Sequence, residues 1–343
     1  MFHRSTSNRA RAGLPMLRLL TALMWAGAAA PCRAAAASDA SVAAHVAAAG
    51  AAAGSDLQSL MGLCKPAPAR RPSQADADKG IAAQLARPAP APGQAFDNLY
   101  FVGGAWASAW ALRTSDGIIL IDALNNASEA ASLIGPGLRR FGLDPATIKT
   151  VIITHGHGDH YGGADWLTAQ FKPKLVMSET DWRMTETRLE FATPLWGAPP
   201  RRDVAVVDGD SVTLGDTVVK LYVTPGHTLG TLTPVFEVRE GGRSHRVALW
   251  GGTAFNFGND VPRMNAYIAA TERMGQIVRD QDIDVLLSNH SAYDDTVPKL
   301  EALRKQATAQ PHPFVNGNAA VQRAMTVMGE CAQAQRDRYL MMP

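Results

Sequence analysis

The chain has 343 residues, of which 46% are hydrophobic and 19% charged, a composition that excludes a disordered or fibrous protein. Its formal net charge of +2 depends on residues 1–37, which carry five arginines and no acidic residue; without them 28 basic and 31 acidic residues remain, about −3. A mature form with this charge argues against a nucleic-acid partner.

Residues 1–37 have the pattern of a secretory signal peptide. Arginines come first, a short apolar run follows over residues 19–30, and small residues come after it. The run is too short to span a bilayer, so we expect cleavage rather than a stable membrane anchor. The sequence therefore predicts a periplasmic or secreted protein.

Residues 38–95 form an alanine- and proline-rich N-terminal arm. Six prolines between positions 66 and 92 interrupt any long helix, so we expect a partly disordered linker with at most a short helix near residues 55–62. Residues 96–343 are expected to form the folded domain, with a C-terminal helical extension.

Strand and helix patterns alternate through residues 96–343. Predicted strands cover residues 98–102, 105–114, 117–122, 150–154, 174–178, 204–207, 211–214, 217–223, 231–239, 243–250 and 284–288. Predicted helices cover residues 126–141, 163–171, 181–190, 262–279, 295–307 and 315–336. Strands followed by helices occur twice, which indicates two sheets packed face to face with helices outside.

Two cysteines, Cys64 and Cys331, remain after removal of the predicted signal. In an oxidising compartment they would form a disulfide joining the arm to the last helix; the alternative is two unpaired, buried thiols.

The most informative segment is Val151-Ile-Ile-Thr-His-Gly-His-Gly-Asp-His-Tyr-Gly-Gly163. A β-branched strand leads directly into a glycine-spaced turn that carries His155, His157, Asp159 and His160. Imidazole nitrogens and carboxylate oxygens are ligands that zinc prefers, and the glycines let the turn bring them to one point. The segment predicts a zinc site.

Two further histidines follow predicted strands. His227 lies in Pro225-Gly-His-Thr after the strand at 217–223, and His290 follows Val285-Leu-Leu-Ser-Asn. Both occupy the carboxyl end of a strand, as His155 does, so a shared sheet edge would gather them. No role is assigned to the other four histidines: His3, His45, His245 and His312.

These motifs resemble those of the metallo-β-lactamase superfamily over roughly residues 96–307. The resemblance implies a four-layer αββα sandwich with two zinc ions. It implies that His155, His157 and His227 hold the first ion, and that Asp159, His160 and His290 hold the second.

The resemblance is strongest to the third subclass of class B β-lactamases. Other branches place a bridging aspartate or a cysteine where this chain has Gly252, and His160 is an additional ligand typical of that subclass. The chain departs from the subclass in two places: Thr253, Phe255 and Asn256 stand where serines usually anchor a substrate carboxylate, and Ser291 stands where proline is common.

The resemblance implies a periplasmic dizinc hydrolase whose zinc-bound hydroxide, oriented by Asp159, opens β-lactam rings. The substrate would be a small molecule. Asp122 either supports the ligand geometry or is an ordinary turn residue, and four aromatics (Tyr161, Trp196, Phe255 and Tyr293) are candidates to line the cleft. The alternatives are a dizinc hydrolase of another ester, lactone or amide, and a zinc-dependent binding protein without turnover. The sequence leaves the oligomeric state open.

Overall fold

A computed structural model describes residues 36–305 and 311–343. The predicted signal peptide, apart from its last two residues, lies outside the described residues. Among the described residues, no helix has both the length and the apolar character needed to cross a bilayer.

The first sheet has seven strands, each paired with the next one in sequence. They are β1 (Gly93–Phe96), β2 (Leu99–Phe101), β3 (Trp110–Thr114), β4 (Gly117–Ile121), β5 (Ile148–Ile152), β6 (Lys174–Ser178) and β7 (Val204–Val206). Strands β1 to β4 are antiparallel and β4 to β7 are parallel. The carboxyl ends of β4 and β5 therefore lie at one edge of the sheet.

The second sheet has five strands in the order β12-β11-β10-β9-β8. They are β8 (Ser211–Leu214), β9 (Thr217–Val223), β10 (Leu232–Glu240), β11 (Arg243–Trp250) and β12 (Val285–Ser288). Because β10 is antiparallel to both β9 and β11, and β11 is parallel to β12, the carboxyl ends of β9, β11 and β12 share one edge.

Helices cover the outer faces of both sheets. The α-helices among the described residues are α1 (Asp39–Ala53), α2 (Gln74–Leu85), α3 (Ala127–Arg140), α4 (Gly158–Tyr161), α5 (Ala164–Phe171), α6 (Glu179–Thr187), α7 (Val261–Asp280), α8 (Thr296–Lys305) and α9 (Asn318–Leu340). Helices α3 and α5 pack on the first sheet, and α1, α7 and α9 pack with the second.

Strand β4 illustrates how the apolar pattern builds these layers. Side chains alternate across a strand, so Ile119 and Ile121 join the core between the two sheets, while Ile118 and Leu120 join the core under the outer helices. A strand buried on both faces has to be apolar throughout. The predicted αββα sandwich is confirmed.

The N-terminal arm is more ordered than predicted. The sequence predicts a partly disordered linker, whereas the structure shows helices. It contains α1, a 3₁₀ helix (Gln58–Cys64) and α2, and the chain enters the sheet at β1, before residue 96. The prolines do interrupt the helices, but the alanines between them have high helix propensity, and those at positions 49 and 53 are fully buried in the core that includes α9. The predicted disulfide between Cys64 and Cys331 is confirmed and joins this region to α9.

Candidate metal centre

The predicted metal ligands lie at the shared edges of the two sheets. Strand β5 leads into His155 and His157, and the one-turn helix α4 then carries Asp159 and His160. His227 follows β9 and His290 follows β12. All six side chains are buried, and each lies close to at least one other of the set: His155, His157, Asp159, His160, His227 and His290.

The first group consists of His155, His157 and His227. The Nε2 atom of His155 lies 3.1 Å from Nδ1 of His157, which lies 3.1 Å from Nε2 of His227. One ligand nitrogen from each residue falls within 4.8 Å of the others. Three imidazole nitrogens at such spacing suit a single divalent ion.

The second group consists of Asp159, His160 and His290. The Nε2 atoms of His160 and His290 lie 3.3 Å apart, and Asp159 Oδ2 lies 3.3 Å from the first and 3.5 Å from the second. His290 thus meets the adjacent pair Asp159 and His160, 130 residues earlier in the chain, at a second point beside the first.

The hydrogen bonds of the outer ring nitrogens fit a metal-binding role. Nδ1 of His155 lies 2.7 Å from the carbonyl of Gly251, and Nδ1 of His227 lies 2.8 Å from that of Ala254. Nδ1 of His290 lies 3.1 Å from the carbonyl of Trp106. Since a carbonyl only accepts, these Nδ1 atoms carry the protons and each Nε2 presents a lone pair to the centre. Inward lone pairs that face one another suit a cation placed between them.

The electrostatics of the second group also favour a cation. Burial and the neighbouring His160 lower the pKa of His290 to about 4, so its imidazole is neutral. Burial opposes protonation of His160 as well, but the carboxylates of Asp159 and Asp122 raise its pKa to about 10. Burial raises the pKa of Asp159, but the interactions with His160, His290 and His157 together outweigh it and lower the pKa well below its ordinary value. The surroundings stabilise positive charge at the point where a metal ion would supply it.

Asp122 holds the turn that carries the ligands. Its carboxylate accepts hydrogen bonds from the backbone N–H of Thr154 at 2.7 Å and from the Thr154 hydroxyl at 2.9 Å, and its Oδ2 lies 2.8 Å from Nδ1 of His160. Of the two readings of Asp122 left open by the sequence, the geometry supports the one in which it orients a ligand.

Three polar residues at the site were not found by sequence reasoning. Asp181 on α6 accepts hydrogen bonds from the Gly156 and Gly230 N–H groups, joining the two ligand turns. Glu190 lies 3.3 Å from Nε2 of His157. Asn289 donates to the Gly251 carbonyl at 2.6 Å, beneath His155. Burial raises the pKa of Glu190, but the interactions with His157 and Arg263 together outweigh this effect and lower the pKa to about 2.

Gly252 has no room for a side chain. A Cβ atom there would lie 2.6 Å from Cβ of His227 and 3.0 Å from the Thr231 side chain. A bridging aspartate or cysteine at this position is therefore sterically incompatible with the observed position of His227.

A cavity of about 560 Å³ is lined in part by four of the candidate metal ligands, His157, Asp159, His227 and His290. One helical face of α2 (Asp76, Ala77, Gly80, Ile81 and Gln84) lines it, with Arg87 just beyond the helix. Of the four aromatics proposed for the cleft, Trp196 and Tyr293 line the cavity, while Tyr161 and Phe255 belong to the core. Of the residues that replace the anchoring serines, Asn256 lines it.

Comparison with known proteins gives the same family from sequence and from structure. Residues 106–240 match the metallo-β-lactamase superfamily. The structure resembles that of BJP-1, a subclass B3 metallo-β-lactamase of Bradyrhizobium japonicum, with a TM-score of 0.56 and 26% identity over 70% of this chain and 91% of that one.

Curated relatives match shorter segments. A hydroxyacylglutathione hydrolase of Acidiphilium cryptum is 32% identical over 108 residues, or 32% of this chain and 36% of that protein. A "Probable polyketide biosynthesis zinc-dependent hydrolase" of Bacillus subtilis is 29% identical over 92 residues, or 27% of this chain and 36% of that protein. The chain thus matches well under half the length of these two relatives.

Proposed function

Because the chain contains a metallo-β-lactamase superfamily domain, we propose that it is a dizinc hydrolase that opens β-lactam rings. The observation that carries this proposal is the convergence of six buried side chains whose ligand atoms lie close together, His290 meeting Asp159 and His160 beside the cluster around His155. Position 252 has no space for a bridging residue. The similarity to a subclass B3 enzyme supports the β-lactam substrate.

In this proposal His155, His157 and His227 hold one ion, and Asp159, His160 and His290 hold the other. Zinc held in this way supplies Lewis acidity and lowers the pKa of water toward 7. Asp159 is among the residues that line the cavity, so in this proposal its carboxylate would accept a proton from the attacking water and orient that water.

In this proposal the cavity walls position the substrate. Trp106, Phe191 and Tyr293 form apolar surfaces against which the rings of a bicyclic substrate would pack. Arg87 is a cation at the same cavity, and Asn256 offers amide hydrogen bonds. These two residues are the candidates to bind a substrate carboxylate in place of the absent serines.

A second candidate is hydrolysis of a thioester or another ester. The similarity to a hydroxyacylglutathione hydrolase favours it. Gly252 argues against it. Other branches of the superfamily have a metal-bridging aspartate at this position, and this chain leaves no space for one.

Initial rates on a substrate panel separate the candidates. Purified protein lacking residues 1–37 is assayed on a chromogenic cephalosporin, an acyl-lactone and an acyl-glutathione thioester, with and without a chelator. We expect chelator-sensitive turnover of the cephalosporin to exceed that of the other substrates. Turnover of the thioester alone would support the second candidate, and zinc binding without turnover of any substrate would indicate a binding protein.

We also propose that the protein is exported to the periplasm or secreted, on the basis of residues 1–37. Mass spectrometry of the protein from fractionated cells would locate it and define its mature N-terminus. Full-length protein confined to the cytosol would contradict this.

A further inference from the structure

We propose that Glu190 and Arg263 form a positioning pair that fixes His157 and His227 for the first metal ion. The inference rests on the proposed zinc site, since it assigns a role to residues that act through two of its ligands. Neither residue is placed to ligate the ion.

His157 is oriented differently from the other histidines of the site. Its Nδ1 faces His155 and His227, so the outward nitrogen is Nε2, which lies 3.3 Å from Oε2 of Glu190. A carboxylate can only accept there, so Nε2 carries the proton and Nδ1 is left free to bind metal. Backbone carbonyls perform this task for His155, His227 and His290, whereas His157 depends on a side chain from another segment.

Glu190 lies in a segment that does not hold it rigidly by itself. Helix α6 ends at Thr187, and the residues from there to β7 form no regular helix or strand. A loop carboxylate has several accessible rotamers, so orienting an imidazole requires a second contact.

Arg263 provides that contact. Its Nη1 and Nη2 atoms each lie 2.8 Å from a different oxygen of Glu190, the bidentate geometry in which a guanidinium fixes both the position and the plane of a carboxylate. Arg263 itself is 5% exposed and stacks over the ring of Phe257 at 4.5 Å. It is therefore a rigid anchor on α7.

The same guanidinium also holds the turn of the third ligand. Nε of Arg263 donates to the carbonyl of Gly226 at 2.5 Å, and Nη2 donates to the carbonyl of His227. One buried cation thus fixes His227 through its backbone and His157 through Glu190. Two ligands that are 70 residues apart are held in one geometry by a single group.

The N-terminal arm strengthens the contact at the loop. Nη1 of Arg71 donates to the backbone carbonyl of Glu190 at 2.7 Å, and its guanidinium lies 4.9 Å from the ring centroid of Phe191. The Phe191 ring in turn meets the His157 ring edge-on at 5.1 Å. Glu190 is thus fixed at its backbone by the arm and at its carboxylate by α7.

Zinc titration against a chromophoric chelator tests the inference in the variants Glu190→Gln, Glu190→Asp and Arg263→Lys. Losses of about 10- to 100-fold in affinity are usual when a group that orients a metal ligand is removed. We expect such a loss in E190Q for one of the two ions, with the other bound as in the unchanged protein. R263K should lose at least as much as E190Q, because lysine keeps the charge but cannot hold both oxygens of Glu190 together with the carbonyls of Gly226 and His227. E190D should fall between E190Q and the wild-type protein.

The matched control is Glu186→Gln, which removes an exposed carboxylate paired with Arg202 near the same loop. We expect it to leave both affinities unchanged. Melting temperatures of the metal-free proteins separate positioning from folding: a purely structural role would lower them in E190Q without changing the affinity of the folded protein. The absorption spectrum after cobalt substitution should also change in E190Q and not in E186Q.

E190Q with two unchanged zinc affinities and an unchanged cobalt spectrum would overturn the inference and leave the proposed function intact. A wild-type protein that binds no zinc would overturn both this inference and the proposed function. Zinc binding that is weakened in E190Q supports the inference, even if the protein hydrolyses no β-lactam.

Discussion

Asp122 and His160 are joined by a 2.8 Å contact between Oδ2 and Nδ1, although they are 38 residues apart. Asp122 directly follows β4 with a φ of 64°, in the left-handed region, and this turn directs its carboxylate toward the neighbouring strand end. Because the same carboxylate binds Thr154, it links the start of the ligand turn to its last ligand.

The variant Asp122→Asn should weaken the second metal site. Asparagine tolerates the left-handed conformation, so the backbone is retained, but one carboxylate oxygen becomes an NH₂ group. An NH₂ group only donates, so it can accept neither from the Thr154 hydroxyl nor from Nδ1 of His160. The substitution also removes the negative charge that orients the imidazole. We expect affinity for one zinc ion to fall about 10- to 100-fold in a chelator titration.

The exposed turn residue Asp116 offers the control for this change. D116N should bind both ions normally. Unchanged affinities in D122N would mean that Asp122 is an ordinary turn aspartate.

The variant Gly252→Ala should disturb the first metal site. The new methyl group would meet the His227 side chain at 2.6 Å, so the ligand or the backbone has to move. Overpacking of this kind costs about 1–3 kcal/mol, and we expect a lower melting temperature together with weaker binding of one zinc ion.

Gly62→Ala is the comparison, because no atom lies within 4 Å of its added methyl group. It should leave stability and zinc binding close to those of the unchanged protein. If G252A does the same, the position tolerates a side chain and the steric reason for the absent bridging ligand is wrong.

Ligand positions at strand ends could be predicted from sequence, whereas the residues that support them could not. His155, His227 and His290 follow β5, β9 and β12, and the carboxyl ends of β9 and β12 lie at one edge of the second sheet whatever the details of the loops. Glu190 and Asp181 carry no such signal, since each is recognisable only from a partner that is distant in sequence.

The N-terminal arm shows the same limit in the fold. Its alanines and prolines are typical of a linker, and its helices are stabilised by packing that the local sequence does not reveal. Ala49 and Ala53 are buried in the core that includes α9, and Cys64 is bonded to a residue 267 positions away. The alanines favour helix locally, but the tertiary contacts that make these helices part of the folded domain cannot be read from the local sequence.

Removing the disulfide should destabilise the protein. It closes a loop spanning 267 residues, and removing such a cross-link typically costs about 2–4 kcal/mol. We expect Cys64→Ser to lower the midpoint of urea unfolding, and a reducing agent to lower the midpoint of the unchanged protein but not that of C64S. Two reactive thiols in the denatured, unreduced mature protein would show that the bond is absent in solution.

Arg87 should affect anionic substrates selectively. It is exposed, and it is the one arginine or lysine among the described residues that line the cavity. Exposed ion pairs contribute about 0.2–1 kcal/mol, so Arg87→Ala should raise KM for a cephalosporin carboxylate by up to about fivefold with little change in kcat. KM for an uncharged lactone, if it is turned over, should not change.

Arg140, on the last turn of α3 and away from the cavity lining, gives the matched variant R140A. An equal rise in KM for both substrates in R87A, or for the cephalosporin in both variants, would rule out a direct contact with the substrate carboxylate.

The zinc content of the purified mature protein tests the two-site centre most directly. Elemental analysis should find two zinc ions per chain, and the double variant His227→Ala/His290→Ala, which removes one ligand from each group, should retain far less than the unchanged protein. A metal-free wild-type protein after purification with zinc, or two ions retained in the double variant, would contradict the assignment.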